Sequence, residues 1–206
     1  MRIRQHVNPL RADFLQINPA PLHLPADRPI EVELGSAEAQ FLMERAVEDP
    51  GRSYIGVEIR RDMVDASNHK AAQLGLAQVR SVFANISVDL PRLFPPASVS
   101  RFFINFPDPW FKQRQHKRRV VGQELVDQIE PLLSADGEIH VATDIFDIAL
   151  DAMAVLERES PRHFRNLGEP WTFLRTSRFA ARSWRERHCE EAGIRIWRLA
   201  YRRLPT

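Results

Sequence analysis

Cysteine, glycine and tyrosine are scarce in this chain: one, eight and two among 206 residues. The single thiol, Cys189, excludes an internal disulfide and a cysteine-based metal site, and reads as a small residue near the C-terminal end. No His, Cys and carboxylate cluster falls at metal-ligand spacing. No apolar run approaches the ~20 residues of a membrane helix. The first ten residues, MRIRQHVNPL, carry charge but no apolar segment, so they are not read as a secretory signal and the expected compartment is the cytoplasm. Internal repeats and low-complexity segments are absent too. Charge of either sign is not in excess: 29 Lys and Arg stand against 27 Asp and Glu, a formal net charge of +2. Any polyanion must therefore be met by local patches, and basic residues do cluster, at 112–119 and again at 175–203.

Hydrophobic periodicity organises the rest. Residues 1–29 hold five of the 15 prolines with little period and read as an irregular arm. Residues 30–206 read as one domain. Strand patterns are expected at 30–34, 53–59, 78–84, 100–106 and 138–144, and helical spacing at 37–49, 61–76, 123–134 and 145–159. The stretch 193–203 alternates apolar residues with arginines and reads as a final strand with one basic face. Strands alternating with helices of this length imply an α/β fold with a mostly parallel, doubly wound sheet. Ligands of such sheets sit outside the carboxyl ends of the strands.

Those ends carry a row of carboxylates and amides: Glu33, Glu58, Asn85, Asp108 and Asp144. Ordinary helix capping accounts for Asn85 and Asp144 as well as a site does, but Glu58 poorly, because Glu is not a favoured cap. An acid ending the second strand of a nucleotide-binding sheet holds ribose hydroxyls. Glu58 lies 23 residues after Gly35, near the expected spacing. Yet the first strand leads into GSAEAQ, not GxGxxG, so a pyrophosphate finds little close backbone approach there. A cofactor without phosphates, such as S-adenosylmethionine, fits better.

The most distinctive stretch is NFPDPWFKQRQHKRR, residues 105–119. With ELGSAEAQFL, YIGVEI and HVATD, in this order and spacing, it resembles the bacterial tRNA (guanine-N7)-methyltransferase family over roughly residues 30–160, and loosely beyond. The resemblance implies a Rossmann-like class I methyltransferase fold with an antiparallel C-terminal strand. The implied activity moves a methyl group from S-adenosylmethionine to N7 of a guanine in the variable loop of tRNA. By the same resemblance Glu33, Glu58 and Asn85 hold the cofactor and Asp108 is the active-site acid; Gly35 and Asp108 complete the expected cofactor site. The resemblance also implies substrate contacts for Lys112 and Asp144, and Arg114, Lys117, Arg118, Arg119 and Ser177 are expected to face the RNA beside them. Guanine N7 already has a free lone pair, so no general base is needed, and His116 is read as RNA-facing or surface. His140, on a buried strand pattern, is read as a satisfied core histidine. Pro107 and Pro109 stiffen the backbone around Asp108. Trp110 and Phe111 suit either base stacking or packing. The five cations that follow suit phosphates.

The chain departs from the family pattern at four places. Ala37 and Ala39 replace glycines of the first loop, Asn85 replaces an acid, and Ser177-Arg178-Phe179-Ala180 lacks the glutamate of T-[KR]-[FY]-E. These departures keep an alternative open, an RNA-binding homologue with weak or lost methyl transfer. A methyltransferase for a small molecule or protein is a third reading, against which the basic loop argues.

Overall fold

A computed structural model describes residues 7–109, 120–159 and 163–205. Residues 7–29 contain no helix or strand. Seven strands follow among the described residues: β1 (Ile30–Leu34), β2 (Ser53–Glu58), β3 (Val79–Phe83), β4 (Val99–Asn105), β5 (Leu133–Thr143), β6 (Phe164–Asn166) and β7 (Trp197–Arg203). They form one sheet in the order β3-β2-β1-β4-β5-β7-β6. β1 to β5 pair in parallel, whereas β7 runs antiparallel to both β5 and β6. The expected parallel sheet with an antiparallel C-terminal strand is thus present. Its strand order reverses between β1 and β4, the place where such sheets open a ligand crevice.

Among the described residues six α-helices accompany the sheet: α1 (Gln40–Glu48), α2 (Arg61–Gln73), α3 (Leu90–Leu93), α4 (Gln123–Ile129), α5 (Phe146–Met153) and α6 (Trp184–Glu191). Apolar residues on both faces of the strands explain the layering. Phe41, Leu42, Met43 and Ala46 of α1 pack with Ala71 of α2, Tyr54 and Phe103. On the other face Leu125, Val126 and Ile129 of α4 and Met153 of α5 pack with Val32, Phe102, Ile104 and Val141. Truncating one such fully buried side chain, Leu42 for example, costs about 2–5 kcal/mol.

The structure differs from the periodicity at several ends. The helix expected at 123–134 stops at Ile129, because Pro131 sits in the 3₁₀ turn that follows and cannot donate to a continuing helix. β5 accordingly begins at Leu133, five residues before the expected 138. The 145–159 helix changes to a π-helical stretch at Ala154–Glu159. Three elements, α3, β6 and α6, have no counterpart in the sequence reading. In α6 only Glu186 and Cys189 are buried, so no apolar period announces it.

The second basic cluster is also corrected. Its arginines are largely paired with acids, some from distant parts of the chain and two, Glu186 and Glu190, from within the cluster itself. Arg178 and Arg202 meet Glu138, Arg187 meets Glu44, Arg198 meets Glu186 and Glu190, and Arg185 meets Asp144. His140 is indeed a satisfied core residue, with Nε2 2.9 Å from Glu138 Oε2 and its ring stacked on Phe103. Among the described residues no helix is long and apolar enough to cross a membrane.

Candidate active site

The turn between β1 and α1 begins at Gly35, whose N–H donates to Val57 O over 2.8 Å at φ +77°. A side chain there would be strained by that backbone angle, although no atom lies within 4 Å of where its Cβ would stand, so the glycine leaves open space at the crevice. Ala37 and Ala39, where the family pattern has glycine, also adopt left-handed conformations, φ 49° and 51°. Each costs about 1–2 kcal/mol relative to a right-handed residue. The loop therefore keeps a glycine-like path in spite of its sequence. Burial helps at Ala39, which is 0% exposed within the α1 cluster. At Ala37 the backbone N–H donates to Glu58 Oε2 over 2.8 Å.

Glu58 ends β2 and is buried. Its carboxylate accepts from Arg60 Nε at 2.9 Å, Arg60 Nη2 at 3.0 Å and the Arg60 backbone N–H at 3.0 Å. This bidentate fork raises the Arg60 pKa above its ordinary value, and Asp108 adds a smaller electrostatic contribution in the same direction. So Arg60 lies in the field of both the expected ribose-binding acid and the expected active-site acid.

Glu33, on the penultimate position of β1, is buried. Asn105, at the end of β4, donates Nδ2 to Glu33 Oε1 over 2.9 Å. The other oxygen, Oε2, is buried without a hydrogen-bond partner among the described residues. Burial pushes the Glu33 carboxyl up to about 8; the Asn105 hydrogen bond opposes this, while the charges of Glu58 and Glu186 add to it. An uncompensated acid of this kind is destabilising unless a ligand uses it.

Glu186 is the functional candidate that sequence reasoning missed. It is 3% exposed, and it lines one cleft with Asn105, His140, Ser177 and Arg198. Arg198 Nη2 donates to its Oε1 over 2.7 Å. Ser183 caps α6, its Oγ accepting from Glu186 N over 3.2 Å. That S-x-x-E capping spacing was the available signal, and it matches the spacing of the family's T-[KR]-[FY]-E. The glutamate missing at Ala180 thus has a counterpart six residues later. Ala180 and Ala181 instead donate their N–H groups to Glu48 of α1. Phe179 packs edge-on to Phe103 and His140 beneath the Arg45 guanidinium.

The remaining expected site residues are distributed as follows. Asp108 lies partly buried three residues beyond β4, after Phe106, which itself has φ 51°. Asp144 follows β5 and is ion-paired with Arg185 of α6. Asp144 does not cap α5, which has no side-chain cap at its N-cap residue Ile145; the turn before it is held by Thr143, whose Oγ1 accepts from Ile145 N over 3.1 Å. Asn85 is buried behind β3, with its side chain turned to the N-terminal arm. Ser177 borders the Glu186 cleft. Lys112, Arg114, Lys117, Arg118 and Arg119, with Trp110, Phe111 and His116, lie outside the described residues.

The edge of the sheet thus presents clustered carboxylates, an orphaned buried oxygen on Glu33 and open space at Gly35. This donor set fits a cationic, hydroxyl-bearing cofactor without phosphates, and S-adenosylmethionine has that chemistry.

Comparison with known proteins agrees. The family model described as "Putative methyltransferase" matches residues 27–199. The chain is 36% identical to a tRNA (guanine-N(7)-)-methyltransferase of Synechococcus sp. (strain JA-3-3Ab), over 96% of this chain and 84% of that protein. It is 33% identical to the protein of the same name from Thermosynechococcus vestitus, over 98% of this chain and 95% of the other. Among solved structures, an rRNA methylase from Streptococcus thermophilus superposes with a TM-score of 0.53 at 12% identity, covering 93% of each chain. That last likeness concerns the fold alone.

Proposed function

The chain belongs to the tRNA (guanine-N7)-methyltransferase family, and on that premise we propose that the acidic strand-end cleft transfers a methyl group from S-adenosylmethionine to N7 of a guanine in the variable loop of tRNA. The cofactor supplies the methyl group as an electrophile. What the protein must do is align N7 with it and accommodate a charge that moves from sulfur to the purine. Glu33 and the 35–37 backbone hold the cationic amino-acid end of the cofactor. Glu58 receives the ribose hydroxyls once Arg60 turns aside. Asp108 and Glu186 accept hydrogen bonds from the N1–H and N2–H₂ donors of guanine and stabilise its developing positive charge. Because N7 carries a lone pair and no proton, no side chain has to act as a base.

The observation that carries this reading is the buried Glu33 oxygen that has no hydrogen-bond partner among the described residues and lies within the field of Glu58 and Glu186. The left-handed conformations of Ala37 and Ala39 support an active enzyme over a merely RNA-binding homologue, since the cofactor loop retains its glycine-like path. On the RNA side, the basic loop 112–119 positions phosphates. Arg195, 4.0 Å from the Trp197 ring centre at the start of β7, is a further cation beside the end of β5. The cytoplasm, where tRNA is modified, is the compartment this reading requires.

Incubating the purified protein with unmodified tRNA and S-adenosylmethionine, then digesting the RNA to nucleosides, tests the proposal. We expect 7-methylguanosine. RNA binding without any methylated nucleoside would favour the inactive homologue.

A further inference from the structure

Asn85 is one of the departures from the family pattern, and its surroundings are unlike those of a base-reading residue. The side chain is 1% exposed. Its Nδ2 donates to Pro9 O over 2.8 Å and to Phe14 O over 3.2 Å, residues 76 and 71 positions earlier in the chain. Its Oδ1 accepts from Ser87 N over 3.0 Å. Both amide protons are thus committed to carbonyl oxygens of the arm. The arm around them is a tight turn, in which Phe14 N and Leu15 N both donate to Arg11 O over 3.0 Å. The Arg11 guanidinium lies 5.2 Å from the Phe14 ring centre. Farther along, Asn18 Oδ1 accepts from Arg92 Nη1, and Leu22 N donates to Leu93 O over 3.1 Å. Leu22 and Leu24 pack on the main core.

An aspartate has the shape of asparagine but no proton to give. At position 85 it would set a carboxylate against two carbonyl oxygens, leaving three acceptors in a buried space without a donor. The amide is therefore what fastens the arm to this sheet edge. We propose that Asn85 is a positioning residue that clamps residues 9–14 across the end of β3, making the N-terminal arm a wall of the cofactor cleft at its adenine end. This rests on the cofactor site proposed above. It replaces direct reading of adenine by the Asn85 side chain with enclosure by the arm.

Asn85→Asp separates the two possibilities. Arg11 is the one tryptic site in residues 7–27, so cleavage after it reports release of the arm. In the full-length Asn85→Asp protein, without cofactor or RNA, we expect that cleavage to accelerate about tenfold, and the Kd for S-adenosylmethionine to rise by about tenfold by calorimetry. Unchanged cleavage would overturn the clamp. Accelerated cleavage with an unchanged or tighter Kd would overturn the wall, since an aspartate reading adenine directly gains an acceptor for its amino group. Arg92→Ala is the second variant, because it loosens the exposed Asn18 tie and leaves Asn85 intact. It should raise cleavage and Kd together, about two- to threefold, and a rise in cleavage alone would again remove the arm from the site. A wild type that binds no cofactor would refute the functional reading instead, and the cleavage rates would still decide the clamp.

Discussion

Replacing Glu33 with Gln should make the protein more stable and a worse binder of its cofactor, and the first effect has a definite pH signature. The wild-type carboxyl is buried, with a pKa pushed up from 4.5 to about 8. Between those values the folded state holds a proton that the unfolded chain has released, so stability falls as pH rises from about 4.5 and levels off above about 8. At pH 7 the accumulated penalty is about 3 kcal/mol, using about 1.36 kcal/mol per pH unit. Glutamine keeps the acceptor for Asn105 and never ionises, so the variant escapes that penalty. For a chain of this size each kcal/mol moves the Tm by about 2–4 °C. The Tm of Glu33→Gln minus that of the wild type should therefore be small at pH 4.5, reach about 6–12 °C at pH 7, and change little beyond pH 8. Calorimetric or fluorescence melts at four pH values measure it. The same variant should lose affinity for S-adenosylmethionine, because an ionised Glu33 is the partner a cationic ligand selects. A Tm difference independent of pH would refute the reasoning, since it would mean that Glu33 is already ionised in the folded protein or is not desolvated.

Asp108→Asn should lower methyl transfer far more than tRNA affinity, and single-turnover rates beside filter-binding Kd values compare the two; transfer within a few-fold of wild type would remove the electrostatic role from Asp108. Ala37→Gly should stabilise the fold by about 0.5–1 kcal/mol, the left-handed cost less the added freedom of the unfolded chain, and urea melts read this directly; destabilisation would show that its methyl group packs better than its φ is strained. Replacing Lys117, Arg118 and Arg119 together with Ala should weaken tRNA binding and flatten the log Kd against log salt slope by up to ~2 units, at ~0.7 per single-strand phosphate contact. An unaltered slope would make the three a solvated face, and a large fall in Tm would make them structural.

Much of this protein follows from local sequence. The β1–α1–β2–α2–β3 half was legible because apolar period, strand ends and breakers such as Gly35 and Pro50 act within a few residues of where they stand. The acids at 33, 58 and 108 were legible for the same reason, since the end of a strand is a local event and a parallel sheet gathers all such ends on one edge. The tertiary structure decided what each charge meets. Arg185, Arg187, Arg198 and Arg202 read alike in the chain, yet each is taken by a different acid, from Asp144, Glu44, Glu186 and Glu138. Glu186 reaches the cleft only because α6, almost wholly polar and largely exposed, turns that residue and Cys189 inward, where Arg198 of β7 meets the carboxylate. Asn85 was placed by its strand end but turned to the arm by carbonyls more than 70 residues away. Periodicity reports which way a residue faces, because that depends on its neighbours in sequence. The partner it finds there, and hence whether a carboxylate is neutralised like Asp144 or left poised like Glu33, depends on distant segments arriving at the same place, which only the folded chain determines.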